Sequence, residues 1–279
     1  MIARSNRIAL LAVPGLAFLA VIYALPLLLL LFKSIQGVDG LTLVTYIDFF
    51  SDEFNRTVLW RTLRVALLTT LLALVIAYPT AFAMARAKGI WLTVFLVALV
   101  LPMSLGVIVK AFAWSILFRS NGFINTTLQT LGITDEPVRM LFTETALVIG
   151  AANVFLPFMV LPIYSVIRQL NSSLPEAASS LGATPWFRFT RVTLPLTLPG
   201  VVAGSAFTFS LAISMYVIPS LIVGERQQTL SMLIARSFLY LRNEPLGSTI
   251  SAVLLVIAIF VVLFSSWLAG RLGAVSYTH

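Results

Sequence analysis

Six long apolar runs dominate this sequence of 279 residues and constrain its fold more than any other feature. A bilayer core about 30 Å thick is crossed by roughly 20 helical residues, and each run is long enough to cross it. A chain that is 59% apolar and 10% charged, with a mean hydropathy of +1.02, is not typical of a water-soluble domain. We therefore predict an all-α polytopic membrane protein, a single transmembrane domain over residues 1–279 with six helical spans at 8–32, 62–85, 90–118, 145–167, 199–223 and 248–270.

Composition also excludes several kinds of site. The chain has no cysteine and its one histidine is the terminal His279, so thiolate and imidazole metal sites, disulfides and cysteine nucleophiles are ruled out. The net charge of +8 comes from Lys and Arg spread thinly at the ends of the apolar runs. That distribution indicates membrane orientation rather than nucleic-acid binding.

The distribution of positive charge predicts which side the loops lie on. With six spans both termini lie on the same side of the membrane. The segments on that side carry eight Lys/Arg in 51 residues, and the loops on the opposite side carry eight in 79, so the side with the termini has the higher density of positive residues. The denser side is expected to be cytoplasmic, so both termini are placed in the cytoplasm. The first run exceeds the length of a signal-peptide core and has no clean cleavage site, so we interpret it as a retained span.

A patterned segment follows the fourth span. Ser173 and Glu176 have the spacing of a capping box, Pro175 suits a first helical turn, and Gly182 suits a helix stop. These signals predict a helix of about two turns. Its spacing at i, i+3, i+4 and i+7 gives one apolar face formed by Leu174, Ala177, Ala178 and Leu181.

Thr184 and Pro185 then predict the start of a second short helix, which is expected to end at Leu194 and Pro195. An alternative is an amphipathic helix lying on the membrane surface, a kind of helix that favours Lys and Arg on its polar face. Residues 173–183 contain neither. The pattern therefore favours a helix that docks on a protein partner.

The order of these residues resembles the EAA motif of binding-protein-dependent ABC importer permeases. Glu176-Ala177-Ala178 is followed after three residues by Gly182 and after nine more by Val192, with Leu194-Pro195 beyond it; Val192 stands where the family usually has isoleucine. The resemblance implies a type I importer permease fold and a cytoplasmic coupling segment, 169–198, that docks in a groove of an ATPase subunit. The implied ATPase-coupling residues are Leu174, Glu176, Ala177, Ala178, Leu181 and Gly182.

The resemblance also implies an assembly in a bacterial inner membrane. Its other members would be a second permease subunit, expected to be a paralogue, two ATPase subunits and an extracytoplasmic solute-binding protein. The chain has no Gly-Lys dipeptide and hence no P-loop, so ATP and Mg would bind to the partner subunits and no cofactor to this chain. It would be a transport subunit and not an enzyme.

The cargo is suggested by two further stretches, 132–143 and 156–164, which are similar to the first-type permease of spermidine/putrescine importers. Permeases of the same family that move ferric iron, thiamine or other small solutes remain alternatives. A secondary transporter or channel is a less favoured class, because no Asp or Glu lies inside a predicted span to serve as a proton relay. A structural scaffold would not explain a patterned docking helix.

Five residues are candidates for the transport pathway or its gate: Lys110, Trp114, Asn153, Met215 and Tyr216. Lys110 is a charge well inside a span, so it either faces a wet pathway or extends to the headgroups. The resemblance places an aromatic gate near Tyr216, for which ordinary packing is the alternative. Asn153 could equally bridge helices. Gly200 and Gly204 form a GxxxG pair that predicts close helix packing.

Overall fold

The long apolar runs fold into helices. The structure is a computed structural model that describes residues 2–37, 40–170 and 178–275. In chain order the helices are α1 (Ile2–Ser34), α2 (Val44–Ser51), α3 (Glu53–Arg86), α4 (Ile90–Ser104), α5 (Val107–Leu117), α6 (Phe123–Thr130), α7 (Glu144–Gln169), α8 (Pro185–Arg188), α9 (Leu194–Ser214), α10 (Val217–Ile222), α11 (Leu230–Leu239) and α12 (Glu244–Val275). The remaining elements are an antiparallel pair, β1 (Gln36–Gly37) and β2 (Gly40–Leu41), a π-helical turn (Phe189–Thr193) and a 3-10 turn (Gly224–Gln227).

Five helical stretches in the described part are long and apolar enough to cross a membrane. They are Val13–Ser34, Glu53–Arg86, Glu144–Gln169, Pro185–Ser214 and Glu244–Arg271. Each overlaps a predicted span, and several extend beyond it because a helix continues past its apolar run into polar flanks. The predicted fold class, a helical polytopic membrane protein, is confirmed.

The third predicted span, 90–118, is wrong as a single helix. The helices α4 and α5 are separated by a short break and bent by 101°. Pro102, in the last turn of α4, has no N–H and cannot donate a helical hydrogen bond. The N–H of Leu105 donates to the Pro102 carbonyl three residues earlier (3.2 Å), which is a tighter turn than the α-helix. Leu105 and Gly106 then adopt extended ψ angles of 134° and 145°. Counting this bent pair as one crossing gives the predicted six.

The fifth predicted span, 199–223, ends too late. The helix α9 stops at Ser214, the backbone of Met215 is extended with ψ 132°, and the separate helix α10 begins at Val217. The physical reason is Pro219, which lacks the N–H that an uninterrupted helix would donate to the Met215 carbonyl.

One compact unit consists of the described residues up to 56 together with residues 233–255. Its centre is Ser34, which is buried at the end of α1. The Ser34 hydroxyl and the Tyr46 hydroxyl of α2 share a hydrogen bond of 2.8 Å, and Thr249 of α12 donates to the Ser34 carbonyl at 3.3 Å. An ion pair between Lys33 and Glu244 lies beside this contact. Polar contacts thus join α1, α2 and α12 in this unit.

The second unit spans residues 57–232 and the end of the chain from residue 256. Its central helix is α7, two thirds of whose apolar window is buried. Side chains from α3, α5, α9 and α10 pack with α7 in one apolar cluster, and side chains from α3 and α4 pack with it in another. Burial of this apolar surface gives α7 a fixed position among its neighbours.

The contact between α7 and α9 depends on two glycines. A Cβ atom at Gly204 would lie 2.9 Å from the Met159 carbonyl oxygen, and one at Gly200 would lie 3.0 Å from the Pro162 carbonyl oxygen. The two helix backbones therefore approach as closely as glycine permits. This confirms the close packing predicted from the GxxxG pair.

Candidate functional site

The predicted docking segment is described from Ala178 onward. The Ala183 N–H donates to the Ala178 carbonyl (3.0 Å) and the Gly182 N–H donates to the Ser179 carbonyl (3.0 Å). These two bonds form the Schellman motif, which ends a helix at a residue with left-handed backbone. Gly182 is that residue, with φ +81°, so the predicted helix stop is confirmed.

Three of the six predicted coupling residues, Leu174, Glu176 and Ala177, lie outside the described residues. Of the other three, Ala178 lies in the final helical turn and Gly182 ends it. Leu181 projects from that end with 89% of its surface exposed. The ATPase-coupling role of all six residues stays a prediction.

The second short helix begins as predicted. The Thr184 hydroxyl accepts a hydrogen bond from the Phe187 N–H (3.3 Å), and Pro185 occupies the first turn. The Arg188 guanidinium donates to the Ser179 hydroxyl, which ties the turns on both sides of Gly182 together.

Large apolar side chains project from this paired turn. Trp186 is 74% exposed, and Phe187 is exposed as well. We call Leu181, Trp186 and Phe187 the docking surface. These side chains belong to the turns before and after Gly182, which the hydrogen bond from Arg188 to Ser179 joins.

The predicted end of the second helix at Leu194 and Pro195 is wrong. The chain passes from α8 through the π-helical turn into α9, and the Leu194 N–H donates to the Phe189 carbonyl five residues earlier. Pro195 has no N–H to donate. Because it lies in the first turn of α9, directly after the wider π-helical turn, the missing hydrogen bond does not end the helix. Trp186 and Phe187 of the docking surface are consequently joined to α9 by continuous helix.

Tyr78 of α3 contacts the first residue of the π-helical turn and a residue of α9 beyond it. Its ring packs edge-on against Phe189, with centroids 5.8 Å apart, and its hydroxyl lies 2.9 Å from the Thr197 hydroxyl. Thr197 is fully buried and its hydroxyl also bonds to the Leu194 carbonyl (2.9 Å), so Tyr78 is the donor to Thr197. Sequence reasoning missed this residue. The available signal was an isolated hydroxyl beside Pro79 within an apolar run.

Replacing Tyr78 by phenylalanine should reduce the ATPase coupling that the resemblance to importer permeases implies, without unfolding the protein. The variant keeps the ring on Phe189 but loses a hydrogen bond worth about 0.5–1.5 kcal/mol. We expect a lower ratio of cargo transported to ATP hydrolysed in reconstituted transporter, with the melting temperature lowered by only a few degrees. Tyr23→Phe, on an exposed tyrosine of α1, is the matched control. An unchanged transport ratio in Tyr78→Phe would contradict a coupling role.

Three of the predicted pathway residues lie together. The Trp114 Nε1–H of α5 donates to the Asn153 Oδ1 of α7 (3.1 Å), and the Trp114 ring stacks on Phe118 with centroids 5.1 Å apart. Lys110 is one helical turn before Trp114, on the same side of α5. Asn153 bridges two helices, as one interpretation predicted, yet it is also exposed. An exposed asparagine bonded to a half-buried tryptophan, with a lysine at membrane depth, is suited to a pathway or to a partner interface.

Met215 and Tyr216 lie at the break between α9 and α10, not within a span. Met215 is only 8% exposed and packs in the apolar cluster that also contacts Trp114, whereas Tyr216 is 44% exposed. The two therefore differ in burial: Met215 is packed in the apolar cluster, whereas the ring of Tyr216 is exposed at the break. Their gating role stays a prediction.

The fold is shared with membrane subunits of solved ABC transporters. A bacterial alginate ABC transporter, in complex with an alginate pentasaccharide-bound periplasmic protein, contains a chain that superposes with a TM-score of 0.77 and 19% identity, covering 97% of this chain and 96% of that one. At this identity the likeness establishes the fold alone.

Sequence relationship establishes the family. Residues 7–273 match the family described as binding-protein-dependent transport system inner membrane components, and the chain belongs to this family. The spermidine/putrescine transport system permease protein PotB of Haemophilus influenzae is 34% identical over 257 residues, covering 88% of this chain and 90% of that protein. The PotB protein of Escherichia coli K12 is 32% identical over 255 residues, covering 89% and 92%. The membership predicted from the EAA-like motif is confirmed.

Proposed function

We propose that this chain is the permease subunit of an ATP-driven importer that carries spermidine and putrescine into the bacterial cell. The transport role is supported chiefly by the continuous helix that joins an exposed docking surface to α9, which is packed on the central helix α7. The cargo class is supported by relatives that bear a spermidine/putrescine name and match the chain almost end to end.

The proposed mechanism is alternating access driven by separate ATPase subunits. Closure of the ATPases on ATP would move the docking surface, and because this surface continues into α9, the movement would reach α7 through the glycine contact. A second permease subunit, expected to be a paralogue, would complete the pathway, and an extracytoplasmic solute-binding protein would deliver cargo. This chain would bind no nucleotide and perform no covalent chemistry.

The pathway candidates suit a cation recognised by neutral groups. Asn153 offers an amide oxygen, and the rings of Trp114 and Tyr216 can face an ammonium group. Lys110 would repel a polyamine, so we assign it to gating or structure and not to cargo binding. The predicted spans contain no acid. Selectivity would then rest largely on the solute-binding protein.

The function is tested by transport in proteoliposomes holding the purified complex. We expect uptake of labelled spermidine and putrescine that requires both ATP and the solute-binding protein, with thiamine and ferric iron as competitor cargoes that fail to inhibit. Uptake of another solute would replace the polyamine assignment. Uptake that proceeds without ATP would favour a secondary transporter and contradict the importer role.

The orientation is tested by cysteine labelling, since the native chain has no cysteine. We expect Asn121→Cys to react with an impermeant thiol reagent added outside intact cells. Lys88→Cys, in the exposed turn between α3 and α4 that is predicted to be cytoplasmic, should react only after the cells are permeabilised. The reverse labelling pattern would place this turn outside and overturn the proposed topology.

A further inference from the structure

A groove of about 710 Å³ lies between α3 and α7 in the second unit. We call it the α3–α7 groove; its walls are Leu68, Leu71, Leu72 and Val75 of α3 and Glu144, Thr145, Val148 and Ile149 of α7. Leu72 and Val148 pack in an apolar cluster of this unit and form the floor of the groove, whereas Leu71 and Val75 are exposed at its rim. The groove is therefore apolar except at the end that holds Glu144.

The α3–α7 groove has the length of one leaflet of a bilayer. Arg64, Leu68, Leu71 and Val75 lie on one face of α3, spaced at i, i+4, i+7 and i+11. Eleven residues from Arg64 to Val75 span about 16 Å of helix, and the 22 residues from Arg64 to Arg86 span about 33 Å. These lengths match half and all of a bilayer core about 30 Å thick. Arg64 thus lies at headgroup level, on the outer side in the proposed topology.

An ion pair occupies the headgroup end of the groove. The Arg64 Nε–H donates to the Glu144 Oε1 (2.8 Å), and the Arg64 Nη2 donates to the Glu144 Oε2. The Arg64 side chain is 63% exposed, so its Nη1, which does not bond to Glu144, can donate to a further acceptor. The Glu144 side chain is 18% exposed, and each carboxylate oxygen can accept a second hydrogen bond. The pair has no net charge and offers both a donor and an acceptor.

We infer that the α3–α7 groove binds phosphatidylethanolamine. One acyl chain lies along the leucines of α3, the phosphate accepts from Arg64, and the ammonium group donates to Glu144. Phosphatidylglycerol fits less well, because Glu144 repels the charge that Arg64 attracts. Phosphatidylcholine carries the same charges as phosphatidylethanolamine but has no N–H to donate. The inference depends neither on the cargo nor on the ATPase subunits.

The headgroup preference is tested by native mass spectrometry of the purified complex in detergent. The probes are phosphatidylethanolamine, phosphatidylcholine and phosphatidylglycerol with identical acyl chains. We expect the first to bind at least about tenfold more tightly than either of the others, as two charge-assisted hydrogen bonds allow. Arg64→Gln with Glu144→Gln keeps the net charge and should reduce this preference below about threefold.

The matched control is Arg56→Gln with Glu136→Gln. Both residues are exposed and lie outside the groove, and the change in charge is the same. This variant should keep the full preference for phosphatidylethanolamine. If the Arg64 and Glu144 variant does not assemble, Glu144→Gln alone should lower the preference at least about threefold. A preference that survives unchanged in these variants would overturn the inference.

The acyl-chain part of the site is tested by two tryptophan variants of α3. Leu67 and Leu71 are similarly exposed, at 52% and 49%, but Leu71 lines the groove and Leu67 lies outside it. Leu71→Trp should fill the groove and raise the Kd for phosphatidylethanolamine at least about fivefold, whereas Leu67→Trp should leave it unchanged. Added phosphatidylethanolamine should also raise the melting temperature of the Leu67→Trp complex more than that of the Leu71→Trp complex.

Three outcomes contradict the inference. Equal binding of the three lipids would show that no headgroup is recognised, and tighter binding of phosphatidylglycerol would assign the groove to an anionic lipid. If Leu71→Trp prevents association with the second permease subunit and Leu67→Trp does not, that subunit covers the groove and the lipid assignment is wrong. Lipid binding is measured without cargo, so it fails or succeeds separately from the polyamine assignment.

Discussion

Replacing Gly182 by valine should reduce cargo uptake at least tenfold while leaving the chain inserted in the membrane. Gly182 has φ +81°, and a β-branched residue at such an angle costs at least about 1–2 kcal/mol. A Cβ atom there would meet nothing within 4 Å, so the effect comes from backbone strain and not from a clash. Loss of the Schellman motif would change the position of Leu181 relative to α8 and weaken ATPase binding. Uptake and ATPase co-purification measure the two consequences.

The matched control for this variant is Gly182→Asn. Asparagine is the residue with a Cβ atom that most commonly replaces glycine at a left-handed helix end, and the open space accommodates its side chain. Uptake by Gly182→Asn should therefore remain close to that of the unmodified chain. Equal uptake by the valine and asparagine variants would show that the helix stop does not matter for coupling.

Alanine at both Gly200 and Gly204 should destabilise the second unit strongly. The new Cβ atoms would lie 3.0 Å from the Pro162 carbonyl oxygen and 2.9 Å from the Met159 carbonyl oxygen, so α7 and α9 must move apart. Overpacking of this kind costs about 1–3 kcal/mol per site, more than the roughly 1 kcal/mol that alanine gains in helix propensity. We expect a melting temperature lower by several degrees in detergent, together with lost transport.

Alanine at Gly15 and Gly270 makes the matched control pair. Both glycines lie inside helices, and a Cβ atom at either would meet nothing within 4 Å. The same chemical change should therefore leave the melting temperature unchanged or raise it slightly. A similar loss of stability in both pairs would argue against the close backbone contact between α7 and α9.

The spans could be predicted because the length of an apolar run can be read directly from the sequence. The positions at which two of the helices break could not be predicted in the same way. Residues 90–118 are apolar on both sides of the bend at Leu105, so composition gives no sign that the chain turns by 101° there. Both breaks lie close to a proline, Pro102 in α4 and Pro219 in α10. Whether a proline bends a helix or ends it depends on which neighbours satisfy the freed carbonyl, and that is set by tertiary packing.

The docking segment shows the same division between local and distant causes. The helix stop at Gly182 and the cap at Thr184 were predictable, because both depend on backbone groups within a few residues. The contact of Tyr78 with Thr197 was not, since it joins side chains far apart in the sequence. Trp114 and Asn153 were each predicted as pathway residues, but their hydrogen bond was not, because the two lie far apart in the sequence.

Crosslinking between the docking surface and the ATPase subunit tests the central claim most directly. A cysteine at Leu181, which is 89% exposed, would be combined with a short thiol-to-amine crosslinker in the purified complex. Leu239→Cys, exposed at the end of α11 in a loop proposed to lie outside, is the control. The proposed role predicts an adduct of this chain with the ATPase from Leu181→Cys, altered in yield by ATP, and none from Leu239→Cys. An adduct from Leu239→Cys with none from Leu181→Cys would contradict it.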